Sequence, residues 1–513
     1  MNIFYKTLIC LWLIVTASSL YAEGEAFEPM TKERLDEFYS TPERNVTVIV
    51  CEGEKRHVIP EGFLGVNLSY FNTTDEIWDT YDFLGKLKKS GVGSLRYPGG
   101  EETTFFHWEH PGVNGYEDLW DPKSQHGVSP GRGKFQVTWV APKDWDSNEN
   151  FMDFDEYMEI CRQLGAEPIV GINLESGKKH NRQKDGIDEA LRWMRYCEKK
   201  KFKVTYWFLD NEPWHGESNY SLNNQDYAEE VLAYGTAIKK EFPKVKLIAN
   251  PTSSSSYNYW EGLETFIRKT GHVIDYLDVH WYWAWGLSSF DYWRDQTPLQ
   301  TTDKWKKENL RRPYCEDIRL IKEACKRAGA EHLGLVVLEW NIGPSDWSQT
   351  FNQSLKAIIQ SELLMEYARA DVHLTCLWTL LWQTSRDVWS EQDFFPSIVT
   401  HDLPYEKTLS LDMFRLVSPI QGRRLVESES DQDNLRTLVV EGPSGQKHLL
   451  IINKNALRRK INIQFETHVT GDISAEMIAL KNRVCLQTEV YHKDQKQIYF
   501  YAEPYSFTAI AIK

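Results

Sequence analysis

The feature that most narrows the fold is a repeat of pattern rather than of residues. Between about residues 60 and 400, short apolar runs alternate with helix-length stretches. The runs are GFLGVNLSY (62–70), VGSLRYPGG (92–100), AEPIVGINL (166–174), VTYWFLDNEP (204–213), VKLIANP (245–251), IDYLDVHWYW (274–283), LGLVVLEWN (333–341) and VHLTCLWTLLWQ (372–383). The spacing predicts helices over 75–90, 152–164, 186–200, 224–242, 257–270, 313–329 and 350–370. Nearly continuous apolar strands are covered on both faces, which is the habit of parallel sheets wrapped by helices. Eight such units fit a (β/α)₈ barrel better than an open doubly wound sheet. No G-x-G-x-x-G follows the first strand, so the usual argument for a dinucleotide-binding fold is missing.

Past about residue 405 the texture changes. RTLVVEGPSGQKHLLIINKN holds two strand-like runs around a Gly/Ser turn, and KINIQF, EMIALKNR and SFTAIAIK follow at short intervals. This predicts a C-terminal antiparallel β-sandwich over 405–513, to which NVTVIVCEG, within 23–60, adds strands. The barrel is expected over 61–404. The first 22 residues, with one lysine, an apolar run from Thr7 to Val15 and small residues near Ala17–Ala22, read as a secretory signal peptide. A secreted or periplasmic protein is the expectation. No later run reaches about 18 uninterrupted apolar residues, so no membrane span is expected. Without Cys10, seven scattered cysteines remain, spaced like neither a disulfide framework nor a zinc site.

Charge and aromatic content bound the partner. A net charge of −15 argues against a nucleic-acid binder, whose affinity rests on Lys and Arg neutralising phosphates. The chain carries 20 Trp, 25 Tyr and 23 Phe, which suits either flat ligands such as sugars or a Trp-rich core. Three long irregular segments, 101–150, 284–312 and 384–404, follow strands two, six and eight of the barrel. They therefore belong to the carboxyl-end face, where barrels build their sites. They hold Trp108, Trp120, Trp139, Trp145, Trp285, Trp293, Trp305 and Trp389, which suggests a cleft with several sugar subsites.

Strands four and seven carry the chemistry. VTYWFLDNEP ends in Glu212, and LGLVVLEWN places Glu339 in the equivalent position. A carboxylate at the end of a buried strand is costly unless it is paired or used. Two facing carboxyl groups suit glycoside hydrolysis, in which one protonates the leaving oxygen while the other attacks the anomeric carbon or activates water. On strand six, Asp278, His280 and Tyr282 alternate with apolar or aromatic residues and so share one face. His280 fits either a pocket residue or a satisfied core histidine. No metal site is expected, since H-x-H, H-E-x-x-H and clustered Cys/His are all missing, and no cofactor is implied. Glu101 and Glu102 follow a Gly-Gly turn and suit a substrate contact or a solvated loop equally.

With Asn211-Glu212 ending strand four and Glu339 ending strand seven, the chain resembles the clan A glycoside hydrolases, which are retaining barrel enzymes. LRYPGGE (95–101) is similar to the α-L-arabinofuranosidase-type families, and the Asn-Glu-Pro version of the first motif to β-xylosidase- and agarase-like members. The resemblance covers roughly residues 60–400. It implies Glu212 as general acid/base, its pKa raised by Trp207, Phe208 and Trp214, and Glu339 as nucleophile. Asn211 would bond the sugar 2-hydroxyl, and Arg96 and Tyr282 would donate to Glu339. His280 would reach the pocket, and Trp378 or Trp382 would form a flat floor beneath the sugar. The substrate is then a polysaccharide or oligosaccharide, with galactans and arabinose- or xylose-containing glycans all admissible. A non-catalytic carbohydrate-binding barrel and a transglycosylase are the alternatives.

Overall fold

The computed structural model describes residues 44–70, 78, 80–109, 118–121, 152–213, 222, 224–253, 260–283, 290–295, 314–343, 352–381, 397–400, 404–432 and 434–513. Strand β1 (Asn45–Val58) precedes the barrel, whose eight staves are β2 (Leu64–Asn67), β3 (Ser94–Tyr97), β4 (Glu167–Ile172), β5 (Tyr206–Leu209), β6 (Lys246–Ser253), β7 (Tyr276–Trp283), β8 (Gly334–Ile342) and β9 (Val372–Leu377). They pair in parallel and in sequence order, and β9 closes on β2. The fold is the (β/α)₈ barrel that the alternation predicts.

The two-sided apolarity of the staves now has its cause. Side chains pointing inward, including Ile169, Phe208, Ile248, Val336, Leu338, Leu374 and Cys376, fill the barrel lumen. The alternate residues pack outward against the helices in the main core. Helix signals are correspondingly local. Helix Phe154–Leu164 starts with Asp153 and Glu156 in a reciprocal capping box and stops at Gly165, whose φ of 67° suits glycine. The described cysteines Cys51, Cys161, Cys197, Cys325, Cys376 and Cys485 are free thiols. No described helix is long and apolar enough to cross a membrane.

The second layer is one ten-stranded sheet made by β1 with β10 (Arg424–Ser430), β11 (Leu435–Glu441), β12 (Lys447–Asn453), β13 (Arg459–Phe465), β14 (Ile473–Ala479), β15 (Cys485–Gln487), β16 (Val490–His492), β17 (Gln497–Ala502) and β18 (Ser506–Ile512). Their order is β15-β14-β18-β12-β11-β10-β1-β13-β17-β16. The sheet is mixed rather than purely antiparallel, because β1 lies antiparallel to β10 but parallel to β13. It curls so that residues from both halves, such as Val48, Ile463 and Phe500 on one side and Leu449, Met477 and Ile510 on the other, share one apolar core.

Helix Gln353–Arg369 joins the two layers. It packs against β8 and β9 of the barrel and against β11, β12, β14 and β18 of the sheet, and it is buried on every side. Its Glu362 accepts from Lys454 Nζ at 2.9 Å, Arg436 Nε at 3.2 Å and Trp293 Nε1 at 2.6 Å. Trp293, from the short helix Phe290–Asp295 that follows β7, thus serves as an anchor between layers rather than a sugar platform. Removing Glu362 takes away the carboxylate that the buried Lys454 ammonium bonds, so Glu362→Ala should cost about 3–5 kcal/mol in chemical denaturation.

Candidate active site

The stave β5 is only four residues long, and its abrupt end is built into the backbone. Asp210 has φ 67° and Glu212 φ 43°, a left-handed conformation uncommon outside glycine. Asp210 makes the turn tolerable. Its carboxylate accepts the backbone N–H of Asn211 at 2.8 Å, Leu174 at 3.0 Å and Glu175 at 2.8 Å. Burial nevertheless pushes its pKa up to about 7 against those bonds. The Glu212 N–H donates to Asn250 Oδ1 at 3.0 Å, and Asn250 Nδ2 donates to the Asp278 carbonyl at 3.1 Å. The end of β5 is therefore held by β6 and, through it, by β7.

Arg96 on β3 is fully buried and stands at the centre of the pocket floor. One terminal nitrogen donates to Asn67 Oδ1 at 2.8 Å and Glu339 Oε2 at 3.2 Å, and the other to Asn211 Oδ1 at 2.5 Å. Its guanidinium lies 4.3 Å from the centre of the Phe208 ring. The phenol of Tyr282 donates to the other Glu339 oxygen. His280 Nδ1 lies 2.8 Å from Glu212 Oε1 and 3.5 Å from Glu339 Oε2, and its Nε2 lies 3.1 Å from Asp278 Oδ2. Glu212, Glu339 and His280 each present an atom within 4.8 Å of the others.

The electrostatics follow from this crowding. Burial lifts the Glu339 carboxyl above its ordinary range and the charge of Glu212 adds to it, while His280, Arg96 and Tyr282 pull it back. Burial draws His280 down, but Glu339, Asp278 and Glu212 outweigh it and bring the imidazole up to about 10. Burial and Glu339 hold the Tyr282 phenol well above its ordinary pKa, so it remains a donor. The Glu212–His280–Glu339 trio has the reach to chelate a cation. Against that, a guanidinium already bonds Glu339, and a second positive charge there would be repelled.

The Gly-Gly turn after β3 brings backbone close to this cluster. A Cβ on Gly100 would meet the Trp378 ring at 2.8 Å and Glu339 Oε2 at 3.3 Å. Trp378 packs with Tyr282 at the pocket, while Trp382 lies outside the described residues. Glu102 is not solvated. It is buried beneath the turn and accepts from Ser69 Oγ at 2.5 Å, with its pKa raised by burial to about 7. Of the loop tryptophans, Trp108 stacks on Trp193 of helix Gln183–Lys200, and Trp120 lies under Arg182 at 4.1 Å. Trp139, Trp145, Trp285, Trp305 and Trp389, like Trp214, lie outside the described residues.

Asn67, Asn250 and Asp210 are contributors that the motif reading passed over, and Asp278 is one to which it gave a face but no task. A signal for two of them, Asn67 and Asn250, was present. Five of the apolar runs carry an asparagine at or near their carboxyl ends (Asn67, Asn173, Asn211, Asn250 and Asn341), and all but the half-buried Asn173 are buried, where a polar side chain must find partners. Asp278 needed knowledge of register, because it answers an irregularity in the β7–β8 ladder described below.

Comparison with known proteins bears on the fold and on the kind of enzyme the chain resembles. Residues 86–298 match the model of the α-L-arabinofuranosidase 1 domain, a span that includes Arg96, Asn211, Glu212, His280 and Tyr282 but stops short of Glu339. A probable α-L-arabinofuranosidase C of Aspergillus fumigatus is 26% identical over 233 residues, 41% of this chain and 41% of the relative. An intracellular exo-α-L-arabinofuranosidase of Bacteroides ovatus is 23% identical over 225 residues, 40% of this chain and 38% of the relative. The chain resembles the clan A glycoside hydrolases. Each of these alignments takes in about two fifths of the curated relative's length. Among solved structures, the thermostable GH51 α-L-arabinofuranosidase of Thermotoga petrophila RKU-1 superposes with a TM-score of 0.64 at 17% identity, over 91% of this chain and 100% of the other. A Paenibacillus polymyxa xyloglucanase of glycoside hydrolase family 44 reaches 0.62 at 12% identity, over 92% and 99%. These likenesses establish the barrel-plus-sheet fold.

The contact at the glycine turn is testable directly. Gly100→Ala forces the Trp378 ring or the Glu339 carboxylate to move, and it should lose about 1–3 kcal/mol of stability in urea unfolding.

Proposed function

We propose that this protein is a retaining glycoside hydrolase that releases α-L-arabinofuranosyl groups from a polysaccharide or oligosaccharide. The observation that carries the reading is the approach of the Glu212 and Glu339 carboxylate oxygens to within 4.8 Å. Retaining enzymes hold their two carboxyl groups about 5–5.5 Å apart, and inverting ones about 6.5–9.5 Å, to leave room for water. The sugar is chosen from the sequence relatives, since the fold is shared by arabinofuranosidases and glucan-cleaving enzymes alike.

In this reading Glu339 attacks the anomeric carbon. Arg96 and Tyr282 each donate to one of its oxygens, which keeps it ionised and aims it despite burial. Glu212 is partly open to solvent and protonates the leaving oxygen, then takes the proton from the water that releases the sugar. Asn211 is held by Arg96 beside both carboxylates, where it can bond the 2-hydroxyl of the sugar. Trp378 offers an apolar surface beside Gly100 for one face of the ring. No step draws on a metal ion. The signal-like N-terminus supports secretion.

Proton NMR of the first product from an aryl α-L-arabinofuranoside should show the anomeric configuration of the substrate, and an inverted product would remove the nucleophile assignment. Glu339→Gln should abolish turnover while the fold persists. Glu212→Gln should lower kcat about 10²–10⁴-fold on substrates with poor leaving groups and less on activated aryl glycosides. Dialysis against EDTA should leave the rate unchanged; a loss restored by a divalent cation would instead favour metal use by the trio. A panel of arabinan, arabinoxylan, galactan and xyloglucan checks the sugar.

A further inference from the structure

β7 and β8 run in register with one irregularity. Asp278 pairs with Val336, yet Trp281 pairs with Trp340, so β8 carries one extra residue in the stretch that contains Leu338 and Glu339. An extra residue leaves a backbone group without its ladder partner and re-aims the neighbouring side chain. Here Asp278, which is fully buried, fills the gap: its Oδ1 accepts the Leu338 N–H at 2.8 Å. Its other oxygen, Oδ2, takes His280 Nε2 at 3.1 Å. One carboxylate therefore supports the bulge that presents Glu339 and orients the ring that faces both glutamates.

We propose that Asp278 is a positioning residue that holds His280 as a double N–H donor, so that its Nδ1–H supports whichever of the two glutamates bears the negative charge. This rests on the hydrolase reading above. Before bond cleavage Glu339 is the carboxylate and Glu212 the acid. In the first step the Glu212 proton passes to the leaving oxygen, the Glu339 oxygen bonds the anomeric carbon, and the glycosidic bond breaks. The negative charge has then moved from Glu339 to Glu212. His280 Nδ1 is 3.5 Å from the first carboxylate and 2.8 Å from the second, and it serves both without gaining or losing a proton. In the second step, water gives its proton to Glu212 and its oxygen to the anomeric carbon, the bond from that carbon to Glu339 breaks, and the charge returns to Glu339. Among the described residues, the charged groups facing the ring are Glu212 from the end of β5, Asp278 on its own strand and Glu339 on β8, with Arg96 of β3 bonded to the same Glu339 oxygen.

Asp278→Asn tests this without removing the bulge support. The amide oxygen can still accept from Leu338, but the amide N–H₂ now faces Nε2 and forces it to accept. His280 is left neutral, with its proton on Nδ1. Both glutamates lose a positive neighbour, so both limbs of the kcat/KM–pH profile should move to higher pH, by about one unit. A purely structural role for Asp278 would lower the profile without moving its limbs, and that result overturns the proposal. A wild-type chain silent on every glycoside would overturn the hydrolase reading and this role with it; an active enzyme whose limbs stay in place overturns this role alone. Should the variant not fold, ¹⁵N spectra of histidine-labelled wild-type protein at pH 7, with His280 assigned by His280→Gln, read the same point. Two protonated ring nitrogens are expected, and a neutral tautomer overturns the proposal.

Discussion

A guanidinium with no exposure to water sits at the mouth of the barrel, and the site is arranged around its needs. Burying a charge is expensive unless it is paired and fully hydrogen-bonded. Arg96 answers that demand through its two terminal nitrogens, with Glu339, Asn211 and Asn67, and through the face of Phe208, drawn from β8, the end of β5, β2 and β5, while its Nε is left without a hydrogen-bond partner among the described residues. Four positions in the sequence are thereby tied to one side chain. Because the guanidinium is a rigid fork, it sets direction as well as charge, and a lysine at this position would supply the charge without the geometry. The placement of Asn211 next to Glu339 follows from sharing this one partner.

Around that centre, strand ends are stopped rather than frayed. Asp210 and Glu212 occupy left-handed backbone, and the cost is met by the three N–H groups on the Asp210 carboxylate and by Asn250. The β8 bulge is supported in the same manner by Asp278 from the neighbouring stave. In both places a buried polar side chain replaces a backbone partner that the regular ladder has lost. Such substitutions cluster where the chain must aim a side chain instead of continuing a sheet.

Much of this was legible in the sequence, for reasons that are physical. The eight staves announced themselves because a parallel barrel buries both strand faces, and the helices between them because their stop signals, such as Gly165, are local. Glu212 and Glu339 stood out because an acid at the end of an apolar run has few structural excuses. The sheet's parallel pairing was not legible, since β1 and β13 are some 400 residues apart in the chain and meet only through tertiary structure. Among the loop tryptophans, Trp293 misled for a related reason. An indole anchors an interface as readily as it stacks on a sugar, and only the position of Glu362 shows that Trp293 does the former. Asp278 was placed on the correct face by alternation, but its task depends on a one-residue slip in a neighbouring strand.

The central position of β1 in the ten-stranded sheet changes what counts as a module in this chain. β1 lies between β10 and β13, so the strand preceding the barrel is stitched between two that follow it. In linear terms the barrel is an insertion, and the sheet is the host that it interrupts. Residues 405–513 are therefore not a cassette that recombination could move intact to another enzyme. A transplant would leave behind the strand that joins the two halves of the sheet, exposing the unpaired flanks of β10 and β13. Inheritance of the two layers as a unit follows from the topology alone.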